Sequence, residues 1–71
     1  MWSKGFYNGY YFEVKHYDEP SEIYGYRQGR MSKIYIRKGN KVTFNYDRGL
    51  DIDAQDKGTI EVLDYLMTIY G

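Results

Sequence analysis

Apolar residues change their spacing once along this chain, and the change predicts the order of its secondary structure. Up to about residue 46 they recur at every second position, which is typical of strands with one buried face. From residue 54 onward they recur at every third or fourth position, which is typical of an amphipathic helix, with Asp53 as its predicted N-cap. The predicted elements are strands over about residues 2–6, 10–17, 30–37 and 40–46 and a helix over about residues 54–70.

Two glycine-containing segments predict tight turns between these strands. Residues that pair across an antiparallel ladder point to the same face, so the loop length decides which apolar residues share a face. A three-residue loop over residues 7–9 would place Trp2 and Phe6 on the buried face. A three-residue loop over residues 37–39 would likewise keep the apolar residues of the second hairpin together. We therefore predict three-residue loops in both hairpins.

These elements predict a single small α+β domain over residues 1–71. It is a four-stranded antiparallel sheet, formed by two hairpins, with one face covered by the C-terminal helix. A chain of 71 residues buries only about 60% of its unfolded surface, so its core depends on large side chains. Ten Tyr, three Phe and one Trp supply them, and we expect a folded domain.

Composition excludes several classes of protein. With 0 Cys the chain forms no disulfide, and with one His it lacks the ligands of an ordinary zinc site. No apolar run reaches the about 18 residues of a membrane span, and the first residues lack the apolar core of a signal peptide, so we expect a cytoplasmic location. His16 follows the core-facing Val14 and has no Ser or Cys motif near it, which predicts a packed or edge histidine and not a catalytic one. We expect no enzyme and no cofactor.

Three carboxylates lie close together ahead of the predicted helix, at Asp47, Asp51 and Asp53. Calcium and magnesium require such oxygen ligands, but the spacing of a calcium loop and its distal bidentate Glu are missing. We therefore expect turn and capping roles for these residues and predict no metal site, although the sequence leaves cation binding by this cluster open.

Basic and acidic residues are separated along the chain although their numbers balance. Ten Lys and Arg offset ten Asp and Glu, for a net charge of zero. Residues 23–46 nevertheless contain six of the basic residues and no acid, and residues 18–22 contain three acids. The molecule is therefore polar, and its basic side coincides with the sheet face that the helix leaves uncovered.

That uncovered face is the first candidate binding surface. Tyr and Met are enriched in protein interfaces, so these side chains among lysines favour a protein contact, a homodimer included. Aromatic rings among basic residues also suit stacking on single-stranded nucleic acid or a nucleotide, and a solvated sheet face is the third alternative. The candidates here are Tyr11, Lys15, Tyr17, Met31, Lys33 and Tyr35.

The connection over residues 18–30, here called the long loop, is the second candidate, because hairpin connections are usually much shorter. Arg27 and Arg30 at its end would present guanidinium groups to an anionic ligand or partner. Alternatively, the acidic residues at its start pair with these arginines and hold the loop closed. Arg48 lies between carboxylates in the sequence and completes the candidate binding residues.

Three segments carry a resemblance to a known family. They are Tyr-Asp-Glu-Pro-Ser-Glu at residues 17–22, Gly-Arg-Met-Ser-Lys-Ile at residues 29–34 and Tyr-Asp-Arg-Gly-Leu-Asp at residues 46–51. In this order they resemble a family of short uncharacterised proteins of Gram-positive bacteria and of their phages and plasmids. The resemblance implies no activity. It implies that the long loop forms one unit with its partners Arg30, Ser32, Lys33, Asp47 and Arg48.

The sequence thus predicts a small non-enzymatic binding module. In the setting that the resemblance implies, it is an accessory protein of a phage or mobile element that docks on a host protein, such as a defence factor that it inhibits. Two alternatives remain open: a binder of nucleotides or single-stranded nucleic acid, and a homodimeric structural protein.

Overall fold

The computed structural model describes residues 1–71 and has the predicted α+β architecture, with five strands in the sheet where four were predicted. The strands are antiparallel and are ordered along the sheet as they are along the chain. A 3₁₀ turn, Tyr26–Gln28, lies in the long loop. The elements are β1 (Trp2–Tyr7), β2 (Tyr10–His16), β3 (Met31–Lys38), β4 (Lys41–Asp47), β5 (Leu50–Ile52) and α1 (Lys57–Tyr70).

Strand β5 lies in the segment that was predicted to form only turns and a helix cap. Arg48 adopts a φ of 57° and reverses the chain, with the Asp47 N–H donating to the Gly49 carbonyl at 2.9 Å. Ile52 then pairs with Asn45 at the edge of the sheet. The strand was missed because acidic residues dominate this segment, and its apolar–acidic–apolar alternation covers only three residues.

The first hairpin turns through two residues, not three, and the prediction that Trp2 and Phe6 join the core is wrong. Asn8 and Gly9 have φ values of 57° and 81°, the left-handed pair of a type I′ turn. Phe6 therefore pairs with Tyr11, on the face opposite the core. The twist of this turn matches that of the flanking strands, and this match outweighs the burial of two aromatic rings.

The second hairpin also turns through two residues, Gly39 and Asn40, where a three-residue loop was predicted. The register then shifts by one residue between Arg37 and Ile36. This β-bulge restores the side-chain parity, so that Ile36 pairs with Phe44 and both are buried. Ile34, Ile36 and Phe44 thus share the buried face for a different reason from the one predicted, whereas Val42 pairs with Arg37 and stays outside the core.

A second bulge decides the position of Met31. Lys15 pairs with Lys33 but His16 pairs with Met31, which leaves Ser32 as the extra residue of β3. The Met31 side chain consequently turns to the core and is 0% exposed. Its predicted place on the uncovered face is wrong, because the strict alternation on which that prediction rested is interrupted one residue away.

Helix α1 begins three residues later than predicted and is capped by Asp56, not by Asp53. The Asp56 carboxylate accepts hydrogen bonds from the Thr59 N–H at 3.1 Å, the Thr59 hydroxyl at 2.7 Å and the Tyr10 hydroxyl at 2.5 Å. Asp53 instead accepts a bond from the next backbone N–H. No helix in the structure combines the length and the apolar character of a membrane span.

The core lies between α1 and one face of strands β2, β3 and β4. Strand β1 adds Tyr7, whose ring stacks on Tyr65 of the helix with the centroids 3.9 Å apart. Burial of this apolar area supplies most of the stability of so small a domain. The buried hydrophobic residues are Tyr10, Phe12, Val14, Met31, Ile34, Ile36, Phe44, Val62, Leu63 and Leu66.

Gly58→Ala should destabilise the protein although Ala has the higher helix propensity. A Cβ at this position would meet the Tyr10 hydroxyl and lie 2.7 and 2.8 Å from two carbons of its ring. We expect a loss of about 1–3 kcal/mol in the free energy of unfolding, measured by chemical denaturation. Gly49→Ala is the control, because a Cβ added to Gly49 would have no neighbour within 4 Å. Equal stability of the two variants would contradict the close approach of Tyr10 to the helix.

Acidification should weaken the attachment of the helix through Asp56. Hydrogen bonding from Tyr10, and then from Thr59, holds the pKa of Asp56 below its ordinary value. Because the folded-state pKa is depressed, this contribution is complete above the unfolded pKa and is lost as the pH falls through the folded-state pKa. We expect the difference in Tm between wild type and Asp56→Asn to shrink as the pH falls from 6 toward 2 and the carboxylate of the folded protein becomes protonated.

Asp64→Asn is the matched control, since it removes one negative charge from an exposed position of the same helix. A wild-type advantage over Asp56→Asn that persists unchanged at the lowest pH would contradict the role of the ionised carboxylate.

Candidate functional site

The sheet face opposite α1, here called the uncovered face, carries aromatic and basic side chains in rows across the strands. The register places Phe6 beside Tyr11 and Tyr11 beside Arg37 in one row. A second row joins Trp2, Lys15, Lys33 and Asp47, and between them lies a row that contains Lys4, Glu13, Tyr35 and Asn45.

The first row is held by contacts between rings and a guanidinium group. The Phe6 ring meets the Tyr11 ring edge to face, with 5.4 Å between the centroids. The Arg37 guanidinium lies 4.4 Å from the Tyr11 centroid on the other side and donates to the Gly39 carbonyl at 2.8 Å. Burial, followed by hydrogen bonding to Glu13, raises the pKa of Tyr11. Its hydroxyl therefore stays neutral at physiological pH.

The Lys15 ammonium lies close to two aromatic rings at the other end of the uncovered face. It lies 6.0 Å from the Trp2 ring centroid and 5.7 Å from that of Tyr17. Hydrogen bonding to Lys15 is the main reason that the pKa of Tyr17 is lowered. Beside it, Lys33 forms an ion pair with Asp47 at 3.6 Å. Since Asp47 is exposed and Lys33 is partly exposed, this pair contributes at most about 1 kcal/mol.

A shallow groove of 340 Å³ runs over the uncovered face between these rows, from Trp2 past Tyr35 to Arg37 and Asn45. The face carries four basic residues, Lys4, Lys15, Lys33 and Arg37, and three acids, Glu13, Asp47 and Asp51, the last of which accepts a hydrogen bond from Asn45. Its net charge is therefore positive by one. The face combines apolar area with positive charge, which is suited to a partner that carries negative charge beside apolar groups.

The three motifs of the sequence come together in a second concavity of 490 Å³, here called the loop pocket. Backbone hydrogen bonds tie them to one another: the Tyr17 N–H donates to the Arg30 carbonyl at 3.0 Å, and the Arg48 N–H donates to the Ser32 carbonyl at 2.9 Å. The expected unit of the long loop with residues of β3 and the β4–β5 turn therefore exists. The lining residues are Tyr17, Asp18, Glu19, Ser21, Tyr24, Gly25, Arg30, Ser32 and Arg48.

Both cations of the loop pocket contact other groups of the protein. The Arg30 guanidinium donates to the carbonyls of Gly71 at 3.0 Å and Ile69 at 3.4 Å, and thereby binds the C-terminal end of α1. The Arg48 guanidinium lies 5.3 Å from the Tyr24 ring centroid. Neither Arg27 nor Arg30 pairs with an acid of the long loop, so the alternative that ion pairs hold this loop closed is wrong.

The candidate residues thus divide between different parts of the structure. Tyr11, Lys15, Lys33 and Tyr35 share the uncovered face, whereas Tyr17, Arg30 and Arg48 line the loop pocket. Arg27 stands apart, with its guanidinium 5.5 Å from the Tyr26 ring centroid, and Met31 belongs to the core.

Residues of β1 and Arg37 on the uncovered face were missed. The signal for Trp2, Lys4 and Phe6 was the Asn8-Gly9 dipeptide, the strongest short-range sign of a two-residue hairpin. The predicted cluster of Asp47, Asp51 and Asp53 is dispersed, because these residues contact Lys33, Asn45 and the Ala54 N–H respectively.

His16 is packed at the end of β2 and is not part of either surface. Its ring tilts against that of Tyr70, with the centroids 4.5 Å apart, and its Nε2 lies 2.9 Å from the Ser3 hydroxyl. Burial, together with the nearby N-terminal ammonium and Arg30, lowers the pKa of His16. The ring is therefore mainly neutral at physiological pH.

The fold and these surfaces define a class: a small two-layer α+β domain whose sheet leaves one aromatic and basic face open. Over residues 1–71 the sequence matches the model of the family described as Domain of unknown function (DUF7678), and the chain belongs to this family. No curated protein and no solved structure matches the chain. Membership confirms the part of the resemblance that concerned a family without an assigned activity.

Arg30→Gln should loosen the last turn of α1, because it removes the two guanidinium hydrogen bonds to the helix carbonyls. We expect a loss of about 1 kcal/mol in the free energy of unfolding and faster amide exchange over the last turn of the helix. Arg27→Gln is the matched control, since Arg27 is exposed and its guanidinium lies over the Tyr26 ring without donating to a carbonyl of the helix end. Similar losses in both variants would contradict a specific role of Arg30 at the helix end.

Proposed function

We propose that this protein is a cytoplasmic, non-enzymatic binding module whose uncovered face docks on an acidic surface of another protein. The observation that carries the proposal is the exposure of Phe6, 74%, and of Trp2, 55%, within a face that is positive overall. Large aromatic side chains are the residues that most often dominate protein interfaces.

The placement of these two rings is unfavourable for an isolated domain of this size. A chain of 71 residues has few large side chains with which to build a core, yet two of its aromatic residues lie outside it. Burial of such a ring against a partner recovers about 1.5–3 kcal/mol per side chain. Binding to a partner would therefore bury the two rings that folding leaves exposed.

The charge on the uncovered face supports an acidic partner. The resemblance of the three motifs to proteins of Gram-positive bacteria and their phages and plasmids supports a host protein, such as a defence factor, in that role. Electrostatic complementarity of this kind raises the rate of encounter and makes binding sensitive to salt.

Single-stranded nucleic acid fits this face less well than a protein does. Bases stack on free ring faces, whereas one side of Tyr11 is covered by the Arg37 guanidinium and its other contact is with Phe6. Lys33 is paired with Asp47, which reduces its attraction for phosphate. A protein surface contacts ring edges and apolar patches without displacing these neighbours.

Affinity capture from a Gram-positive bacterial lysate tests the proposal with wild type, Phe6→Ala and Ile23→Ala side by side. Ile23 is the matched control because it is 78% exposed, similar to Phe6, but lies in the long loop. We expect wild type and Ile23→Ala to retain the same protein and Phe6→Ala to lose it. With that protein purified, Phe6→Ala should weaken binding at least about tenfold, and added salt should weaken it further.

Identical catches for Phe6→Ala and Ile23→Ala would overturn the proposal. Two other results would replace it with an alternative. Loss of the captured material on nuclease treatment would assign the face to nucleic acid. A dimer in light scattering that Phe6→Ala dissociates would assign it to a second copy of the chain.

A further inference from the structure

Strand β1 forms one edge of the sheet, and the hydrogen-bonding register shows which of its residues direct their backbone N–H and C=O groups away from β2. The His16 N–H donates to the Met1 carbonyl at 2.9 Å, so this pair is a hydrogen-bonded one. Bonded and non-bonded pairs alternate along an antiparallel ladder, and the register of β1 with β2 is unbroken. The N–H and C=O groups of Trp2, Lys4 and Phe6 therefore point away from β2, toward open solvent.

We propose that an extended acidic segment of the partner pairs with β1 as a sixth strand. This inference rests on the proposed function and specifies how the partner is held. The backbone of the added strand bonds the outward groups of β1, and its alternate side chains continue the uncovered face. The side chains beside it are those of Trp2, Lys4 and Phe6, the same three residues that supply the backbone groups.

The two edges of the sheet differ in their suitability for such pairing. Strand β5 is only three residues long, and short edge strands offer few groups for pairing. Strand β1 is six residues long, without a bulge, and carries a single charged residue, Lys4, as protection. The Lys4 ammonium forms no ion pair, because the one salt bridge of the protein joins Lys33 and Asp47.

The position of Lys4 favours an acidic peptide over a second copy of the chain. Two copies of β1 that pair antiparallel with full overlap and keep their open faces on one side place Trp2 opposite Phe6 and Lys4 opposite Lys4. Like charges directly opposite each other destabilise a strand pair. A segment with a carboxylate opposite Lys4 and apolar residues two positions to either side converts this repulsion into attraction and covers both rings.

A synthetic peptide, acetyl-Thr-Val-Thr-Glu-Thr-Val-Thr-amide, tests this pairing by NMR titration and amide exchange of the intact protein. We expect slower exchange of the Trp2, Lys4 and Phe6 amides, with the Ser3, Gly5 and Tyr7 amides unchanged because β2 already binds them. Replacement of the peptide Glu by Lys should weaken binding about fivefold, and Lys4→Glu in the protein should restore binding of that second peptide. A peptide methylated on its backbone nitrogens should not bind.

The results that would contradict strand addition differ from those that would contradict the proposed function. Binding that moves resonances of the uncovered face without protecting the three amides, or that tolerates the methylated backbone, would overturn strand addition while the docking face stands. No binding at millimolar peptide would do the same if the lysate partner still depends on Phe6. Protection of these amides that rises with protein concentration in the absence of peptide would overturn the acidic peptide in favour of a second copy.

Discussion

The contact of Tyr10 with the start of α1 holds the two layers of this protein in position. Its hydroxyl donates to Asp56, which also caps the helix, and its ring packs directly on Gly58. One side chain from the first residue of β2 thus sets where the helix begins and how closely it approaches the sheet. The helix consequently covers one face of the sheet and leaves the other open.

Turns and β-bulges decide which side chains lie on the uncovered face. The two-residue turn at Asn8 and Gly9 places Trp2 and Phe6 there, and the bulge at Ser32 removes Met31 from it. In each case the insertion or loss of one residue in a turn or strand moves the side chains that follow it to the opposite face of the sheet. Turn geometry therefore adds the rings of Trp2 and Phe6 to the uncovered face. Bulge geometry moves Met31 from that face into the core.

Scaffold and binding surface are separated in this molecule. The loop pocket gathers the most distinctive segments of the sequence, but the Arg30 guanidinium there binds the end of the helix and the backbone groups of the three motifs bind one another. These motifs stabilise the connection between β2 and β3. In β1, by contrast, the exposed rings of Trp2 and Phe6 lie beside backbone groups without partners, where the uncovered face meets the sheet edge.

The sequence by itself determined the α+β composition, the long strands, the terminal helix and four of the residues on the open face, because the period of apolar residues is a local property of the chain. It did not determine β5, the loop lengths or the cap at Asp56. The cap depends on the contact of Tyr10 with the distant Asp56, β5 depends on its pairing with β4, and the loop lengths depend on turn geometry that competes with burial. For Trp2 and Phe6 the sequence held two conflicting local signals, the Asn8-Gly9 turn and the apolar pattern. Only the tertiary structure decided between them: the type I′ turn prevailed and both rings remain exposed.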